Sequence, residues 1–227
     1  MKLNVHIFTS GKSNYDTFRK TIVHYQNVSR IIILREKDSQ EDIQDIHSMI
    51  EKECYEYDID YQMVTYEKDS LEDEVIKIMS IRKELDDANL YFNITGGKKT
   101  AAIMAVISSI WVDGVVYYWE ETVGDSVVKN PIELPIPKVS VNDLAKNQLH
   151  LNILGIISKN KRINQTNLKE KIGKNPNNNK ELSPQTLSQS LHYLEKYELI
   201  KRERMGRETN VETTLSGRLA YSMIKPV

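Results

Sequence analysis

The sequence predicts an α/β domain with a mainly parallel sheet, followed by a small α+β domain, and three observations carry that reading. Strand and helix periodicities alternate through the N-terminal half, a stretch with three prolines interrupts both, and the net charge reverses across it. Residues 1–145 hold 16 Lys+Arg against 25 Asp+Glu, a net −9, whereas residues 146–227 hold 15 against 7, a net +8. A basic module that meets an anionic partner, carried by an acidic module that repels nucleic acid, fits such asymmetry.

In the N-terminal half, Leu3 to Phe8 alternates as a strand and Asn14 to Tyr25 reads as a helix. Arg30 to Leu34 is a short continuous apolar run, the pattern of a strand buried on both faces. A helix over Glu41 to Tyr55 carries Ile43, Ile46, His47 and Ile50 at helical spacing, and Ile59 to Tyr66 is the third strand. Leu71 to Leu85 is a helix and Asn89 to Ile94 a strand. The helix from Lys98 to Trp111 is rich in small residues (Ala101, Ala102, Ala105, Ser108, Ser109) that allow close packing on a sheet, and the strand Val115 to Trp119 follows it. Gly124-Asp125 then turns a hairpin into Ser126 to Val128. Repeated βαβ units imply a Rossmann-like, right-handed sheet with helices on both faces. This domain is assigned to residues 1–129, a linker to 130–140 and the second domain to 141–227.

In such sheets ligands lie beyond the carboxyl ends of the strands, where the strand order reverses. Two loops fall there. The first is Thr9-Ser10-Gly11-Lys12-Ser13 and the second Asn93-Ile94-Thr95-Gly96-Gly97-Lys98-Lys99-Thr100. Gly96 and Gly97 let backbone N–H groups at the start of the next helix face an anion, aided by the helix dipole. Lys98 and Lys99 add positive charge, and Asn93 and Thr95 offer short polar side chains suited to phosphate or ribose. A plain strand-to-helix turn is the alternative. A phosphate-cradling Walker A loop is excluded because Phe92 and Lys99 stand where it needs Gly and Ser or Thr. The single Gly11 likewise excludes the G-x-G-x-x-G dinucleotide fingerprint, so neither ATP hydrolysis nor a nicotinamide dehydrogenase is expected.

Cys54 is the only cysteine, which rules out an internal disulfide and a multi-cysteine zinc site. His6, His24, His47 and His150 show no metal-ligand spacing and read as packing or surface residues; no metal and no cofactor is expected. No apolar run approaches the roughly 20 residues of a membrane span, and the N-terminus enters a strand pattern at once, so a cytoplasmic protein is expected.

Beyond Pro131, Pro135 and Pro137, Leu149, Ile153, Ile156 and Ile157 form a helical stripe, and a second helix carries Leu168 and Ile172 before Gly173. The Asn177-Asn178-Asn179 stretch reads as an exposed, mobile loop. The third helix has the strongest signals: Ser183 as N-cap, Pro184 at the first position, and Leu187, Leu191 and Leu194 on one face. Its other face carries Gln185, Ser188, Gln189, His192 and Lys196, which suits hydrogen bonding to base edges in a major groove. Strands over Leu199 to Met205 and Thr209 to Thr213 flank Gly206-Arg207, and a last helix runs from Leu215 to Ile224. The whole reads as a winged helix-turn-helix, with Arg202, Arg204 and Arg207 as phosphate contacts. A winged helix used only for protein contacts is the alternative.

With Asn93-Ile94-Thr95-Gly96-Gly97-Lys98-Lys99 after the fourth strand, the polar Thr9-Ser10-Gly11 loop after the first, and this domain order, the chain resembles the CARF (CRISPR-associated Rossmann fold) family, in its members fused to a winged helix. The resemblance implies a homodimer whose paired sensor domains bind a cyclic oligoadenylate, cyclic tetraadenylate first, with Thr9, Ser10, Gly11, Asn93, Thr95, Gly96, Gly97, Lys98 and Lys99 as ligand-binding positions. It implies a messenger-responsive transcription regulator that binds double-stranded DNA. The rival reading is a metal-independent ring nuclease in which Lys98, Lys99 and Ser10 stabilise cleavage by the ligand's own 2′-hydroxyl, with the winged helix as an accessory module.

Overall fold

The computed structural model describes residues 2–37, 43–85, 87–120, 130–206 and 208–224. The chain divides into two compact units, Met1–Leu134 and Pro135–Val227. Among the described residues no helix is long and apolar enough to cross a membrane.

The first unit alternates β1 (Asn4–Thr9), α1 (Asn14–His24), β2 (Val28–Glu36), α2 (Gln44–Glu56), β3 (Asp60–Tyr66), α3 (Leu71–Glu84), β4 (Asn89–Asn93), α4 (Lys99–Val112) and β5 (Val115–Tyr118), with a short β6 at Ile132–Glu133. The sheet order is β3-β2-β1-β4-β5-β6, parallel throughout except for β6. This is the Rossmann-like α/β architecture that the alternating periodicity predicts. The order reverses between β1 and β4, which lie side by side with Asn4 to Phe8 in register with Asn89 to Asn93.

Ile31, Ile32, Ile33 and Leu34 of β2 are all buried, as a strand covered on both faces requires. On one face Phe8, Ile31 and Ile33 pack with Phe18 of α1 and with Ile50 and Cys54 of α2. Helix α4 packs against α3 and the strands β1, β4 and β5, burying Ala101, Ala105, Ser108 and Ser109, so its small residues serve the close approach expected of them. Its other side is unexpectedly apolar: Ile103, Ile107, Ile110 and Trp111 are exposed, Trp111 by 64%. In the interior, the ring of His6 stacks on Tyr91 and its Nδ1 lies 2.9 Å from the Tyr117 hydroxyl, while Nε2 has no hydrogen-bond partner among the described residues.

The Gly124-Asp125 hairpin and its second strand Ser126 to Val128 lie outside the described residues. The strand that does close this edge is β6, inside the segment 130–140 assigned to the linker: Tyr117 pairs with Glu133 and Tyr118 with Ile132. An edge strand tolerates nearby proline because only one side of it must hydrogen-bond, so Pro131 and Pro135 can bracket it.

The second unit contains α5 (Val141–Ala145), α6 (Gln148–Asn160), β7 (Arg162–Asn164), α7 (Gln165–Ile172), α8 (Pro184–Lys196), β8 (Ile200–Met205), β9 (Glu208–Thr213) and α9 (Leu215–Ile224). Its antiparallel sheet runs β7-β9-β8. Leu149, Ile153 and Ile157 meet Leu168, Leu187, Leu191, Leu194, Ile200 and Val211 in one core. Among the described residues, side chains cap four helices of this unit: Asn147 accepts from the Leu149 and His150 amides, Asn164 from Asn167, Ser183 from Thr186 and Thr214 from Gly217. Helix α5 and strand β7 have no counterpart in the sequence reading; five and three residues are too few to show a period.

The asparagine-rich connection between α7 and α8 is built rather than loose. Lys174 bridges Glu181, the Asn175 amide donates to the Lys180 carbonyl at 2.7 Å, and the Asn177 side-chain amide donates to Asn147 Oδ1 at 3.2 Å, tying the loop to the cap of α6.

Candidate functional site

The loops after β1 and β4 meet backbone to backbone. A Cβ placed on Gly11 would lie 2.1 Å from the Gly97 amide nitrogen, and one on Gly96 would lie 2.6 Å from Asn14 Oδ1. Gly97 has φ +85°, a conformation that favours glycine, and its neighbour is the Ser10 carbonyl. The Thr9 hydroxyl donates across the junction to the Gly96 carbonyl, and Asn14 Nδ2 donates to the Thr9 carbonyl at 3.2 Å. Three glycines and two short polar side chains therefore fasten the loops into one surface.

The other residues of the second loop divide by role. Asn93 Oδ1 accepts from the Thr95 amide at 3.0 Å and from its hydroxyl at 2.7 Å, and the Thr95 hydroxyl accepts from the Trp119 amide at 2.9 Å. Asn93 and Thr95 thus shape the turn. Gly97, Lys98 and Lys99 are exposed at the start of α4, where Lys98 is the N-cap residue and no side chain caps the helix. The first amides of a helix have no partners within it, so this end presents donors and a positive dipole to solvent.

Three residues that the sequence reading left outside the site join it. Asn14 holds Thr9, as above. His47 of α2, read as packing or surface, is buried and places Nε2 3.2 Å from the Ser10 hydroxyl. Burial, with the charge of Arg35, holds its pKa below the ordinary histidine value, so the ring is neutral at pH 7. Glu36, the last residue of β2, accepts from the Lys98 ammonium and from the Asp69 amide at 3.1 Å. Those hydrogen bonds, Lys98 foremost, outweigh burial and hold its carboxyl below the usual range. Ser10, Glu36, Tyr66 and Lys98 line one small recess here. A strand end beside the switch point was a visible reason to consider Glu36; nothing in the sequence marks His47 apart from its apolar neighbours.

No protein-family model and no characterised protein matches this sequence. Among solved structures, similarity spans 97% of this chain for Can2 from Sulfobacillus thermosulfidooxidans in complex with cyclic tetra-adenylate (TM-score 0.42, 12% identity). It also spans 97% for protein VC1899 from Vibrio cholerae (TM-score 0.45, 11% identity) and 76% for Enterococcus italicus Csm6 bound to cyclic hexa-2′-fluoro-hexa-dAMP (TM-score 0.46, 8% identity). The chain accounts for 61%, 65% and 55% of the lengths of those three chains, respectively.

In the second unit, Gln185, Ser188, Gln189, His192 and Lys196 are all exposed on α8, opposite the buried Leu187, Leu191 and Leu194. The strand cations are more constrained than their sequence suggests. Arg202 is held by Glu195 through Nε at 2.8 Å and a second contact, and Arg162 of β7 pairs with Glu203. Arg204 is exposed, its Nε 3.3 Å from the Gly206 carbonyl. Arg207 lies outside the described residues. Among the described residues no group of three or more His, Cys, Asp or Glu is placed to hold a metal.

Proposed function

We propose that this chain is a ligand-responsive transcriptional regulator. The first unit binds a cyclic oligoadenylate, cyclic tetraadenylate in the leading case, on the β1 and β4 loops, and the second binds double-stranded DNA as a winged helix-turn-helix. The observation that carries the reading is the fused pair of glycine loops at the reversal of strand order, opening onto the uncapped, lysine-bearing start of α4. The exposed α8 face and the +8 charge of residues 146–227 support the DNA-binding half. The apolar stripe on α4 supports a homodimer: α4 starts at the site, so two copies joined along it would bring two half-sites to one two-fold ligand.

Thermal unfolding with a panel of cyclic tri-, tetra- and hexaadenylate tests the sensor. A ligand that binds only the folded chain raises Tm in proportion to the logarithm of its concentration over Kd. Tetraadenylate is expected to raise Tm for the parent and not for a Lys98→Ala/Lys99→Ala double variant. No rise with any ring rejects the reading.

The Ser10–His47 contact favours the ring-nuclease reading as a second possibility. A neutral imidazole behind a serine hydroxyl offers a proton acceptor where the sequence shows none. Incubation with labelled cyclic tetraadenylate separates the two: linear products that vanish in His47→Leu identify cleavage, and an intact ring identifies a sensor.

A further inference from the structure

The outer face of α8 is not the whole of the polar surface that the second unit offers. Strand β7 is an edge of the antiparallel sheet, and its Asn164 stands opposite Asn210 of β9. Beside that pair, Asn160 at the end of α6, Arg162 of β7, and Asn167 and Lys171 of α7 line a cleft of about 460 Å³. A second cleft, of about 290 Å³, leads past Lys169 to Pro184 and Leu187 at the start of α8. Asn164 lines both clefts, so together they form one path from the start of α8 to the edge of the sheet. Among the described residues no aromatic ring lines either cleft, and Ile163, Pro184 and Leu187 are their only apolar residues. That lining suits neither a small-molecule pocket, which is mostly apolar, nor a single strand, whose bases need rings to stack on.

We infer that this path holds the sugar-phosphate backbone of duplex DNA beyond the stretch that α8 enters, which lengthens the footprint on one side without reading sequence. The inference rests on the reading of the second unit as a DNA-binding domain. Amides and cations are the groups that bond phosphate and sugar oxygens. Among the described residues the Lys169 ammonium and the side-chain amides of Asn167 and Asn210 take part in no hydrogen bond within the protein, so they are available as donors. Lys171 gives one of its three donors to Asn160 Oδ1 at 2.7 Å and keeps the others. Arg162 sits in an exposed ion pair with Glu203, and such a pair exchanges for a phosphate at little cost. Arg162, Lys169 and Lys171 outnumber Glu170 and Glu208 along the path, and the exposed Lys159 and Lys161 adjoin it in the chain.

Phosphate-ethylation interference on the full chain tests the inference, with duplexes that the parent retains from a random-sequence pool as the probe. In the parent, the ethylated phosphates that block binding are expected to fall into two groups, one around the groove that α8 enters and one flanking it. Asn167→Ala/Lys171→Ala removes two exposed side chains and leaves the Asn167 amide on its Asn164 cap, so its Tm should equal the parent's. This variant is expected to lose the flanking group alone, to bind about tenfold more weakly and to lower the salt slope by about one. Lys174→Ala, which removes a charge outside the path, should keep both groups. A single group in the parent, or both groups intact in the double variant, overturns the inference and leaves DNA reading by α8 standing. If the parent retains no duplex at all, the second unit is not a DNA-binding domain and both readings fall.

Discussion

Gly11 and Gly97 touch through their backbones, so closely that a single methyl group on Gly11 would fall 2.1 Å from the Gly97 nitrogen. The loops of the first and fourth strands are therefore one unit, and the small size of these two residues is what joins them.

Gly11→Ala is expected to push the loops apart and destabilise the first unit by about 1–3 kcal/mol, the usual range for overpacking. Gly206→Ala is the contrast. Gly206 has φ +63° but, among the described residues beyond its chain neighbours, nothing within 4 Å of its missing Cβ, so only backbone strain of about 1 kcal/mol is expected there. Urea unfolding of both variants checks the difference, and only Gly11→Ala should also abolish the ligand-induced rise in Tm.

Acid should unfold the first unit early. Burial lowers the pKa of His6 to about 3. The unfolded chain takes up this proton near pH 6.5 and the folded chain does not, so stability falls as pH drops from 6.5 toward 3, by up to about 5 kcal/mol in total. His6→Phe keeps a ring against Tyr91 and removes the titration. It should cost about 1 kcal/mol at pH 7 for the lost Tyr117 hydrogen bond and flatten the loss of stability below pH 6.5, as read by unfolding at a series of pH values.

The two faces proposed for DNA should respond differently to substitution. Gln189→Ala is expected to cost about 1–3 kcal/mol on a preferred site and much less on random duplex, because it removes a base-reading group. Arg204→Ala should weaken binding to all sequences alike and lower the salt slope by roughly one. Arg202 is a poor choice for this test, since its removal also strips Glu195 of its partner. Fluorescence anisotropy across a salt series decides it; uniform losses from Gln189→Ala would mean that α8 does not read bases.

If the α4 stripe is a dimer surface, Ile103→Glu/Ile110→Glu places two charges in its middle and leaves the sheet-facing alanines untouched. Light scattering should then give the mass of one chain for the variant and of two for the parent. Equal masses would remove the stripe from the assembly.

Much of the fold was legible because its elements are long enough to show a period. The four apolar residues of β2, the small face of α4 and the Ser183-Pro184 start of α8 each appear where the sequence implies. β6 was not legible, because two residues between prolines carry no pattern and its position depends on the free edge of β5. At the site, glycine marks the loops, since tight approach requires it. Glu36 and His47 were missed for a different reason: each meets its partner, Lys98 or Ser10, only once separate crossovers have brought remote segments together.

The place of β1 in the middle of the sheet bears on how the chain is made. Asn4–Thr9 pairs on one side with Val28–Glu36 and on the other with Asn89–Asn93. During synthesis at roughly 5–20 residues per second, several seconds pass between completion of those two neighbours. Throughout that interval the apolar strand Val5 to Phe8 has an open hydrogen-bonding edge. The nascent chain is then most vulnerable to pairing with another copy of itself, and slow translation of the segment between residues 36 and 89 would prolong the exposure.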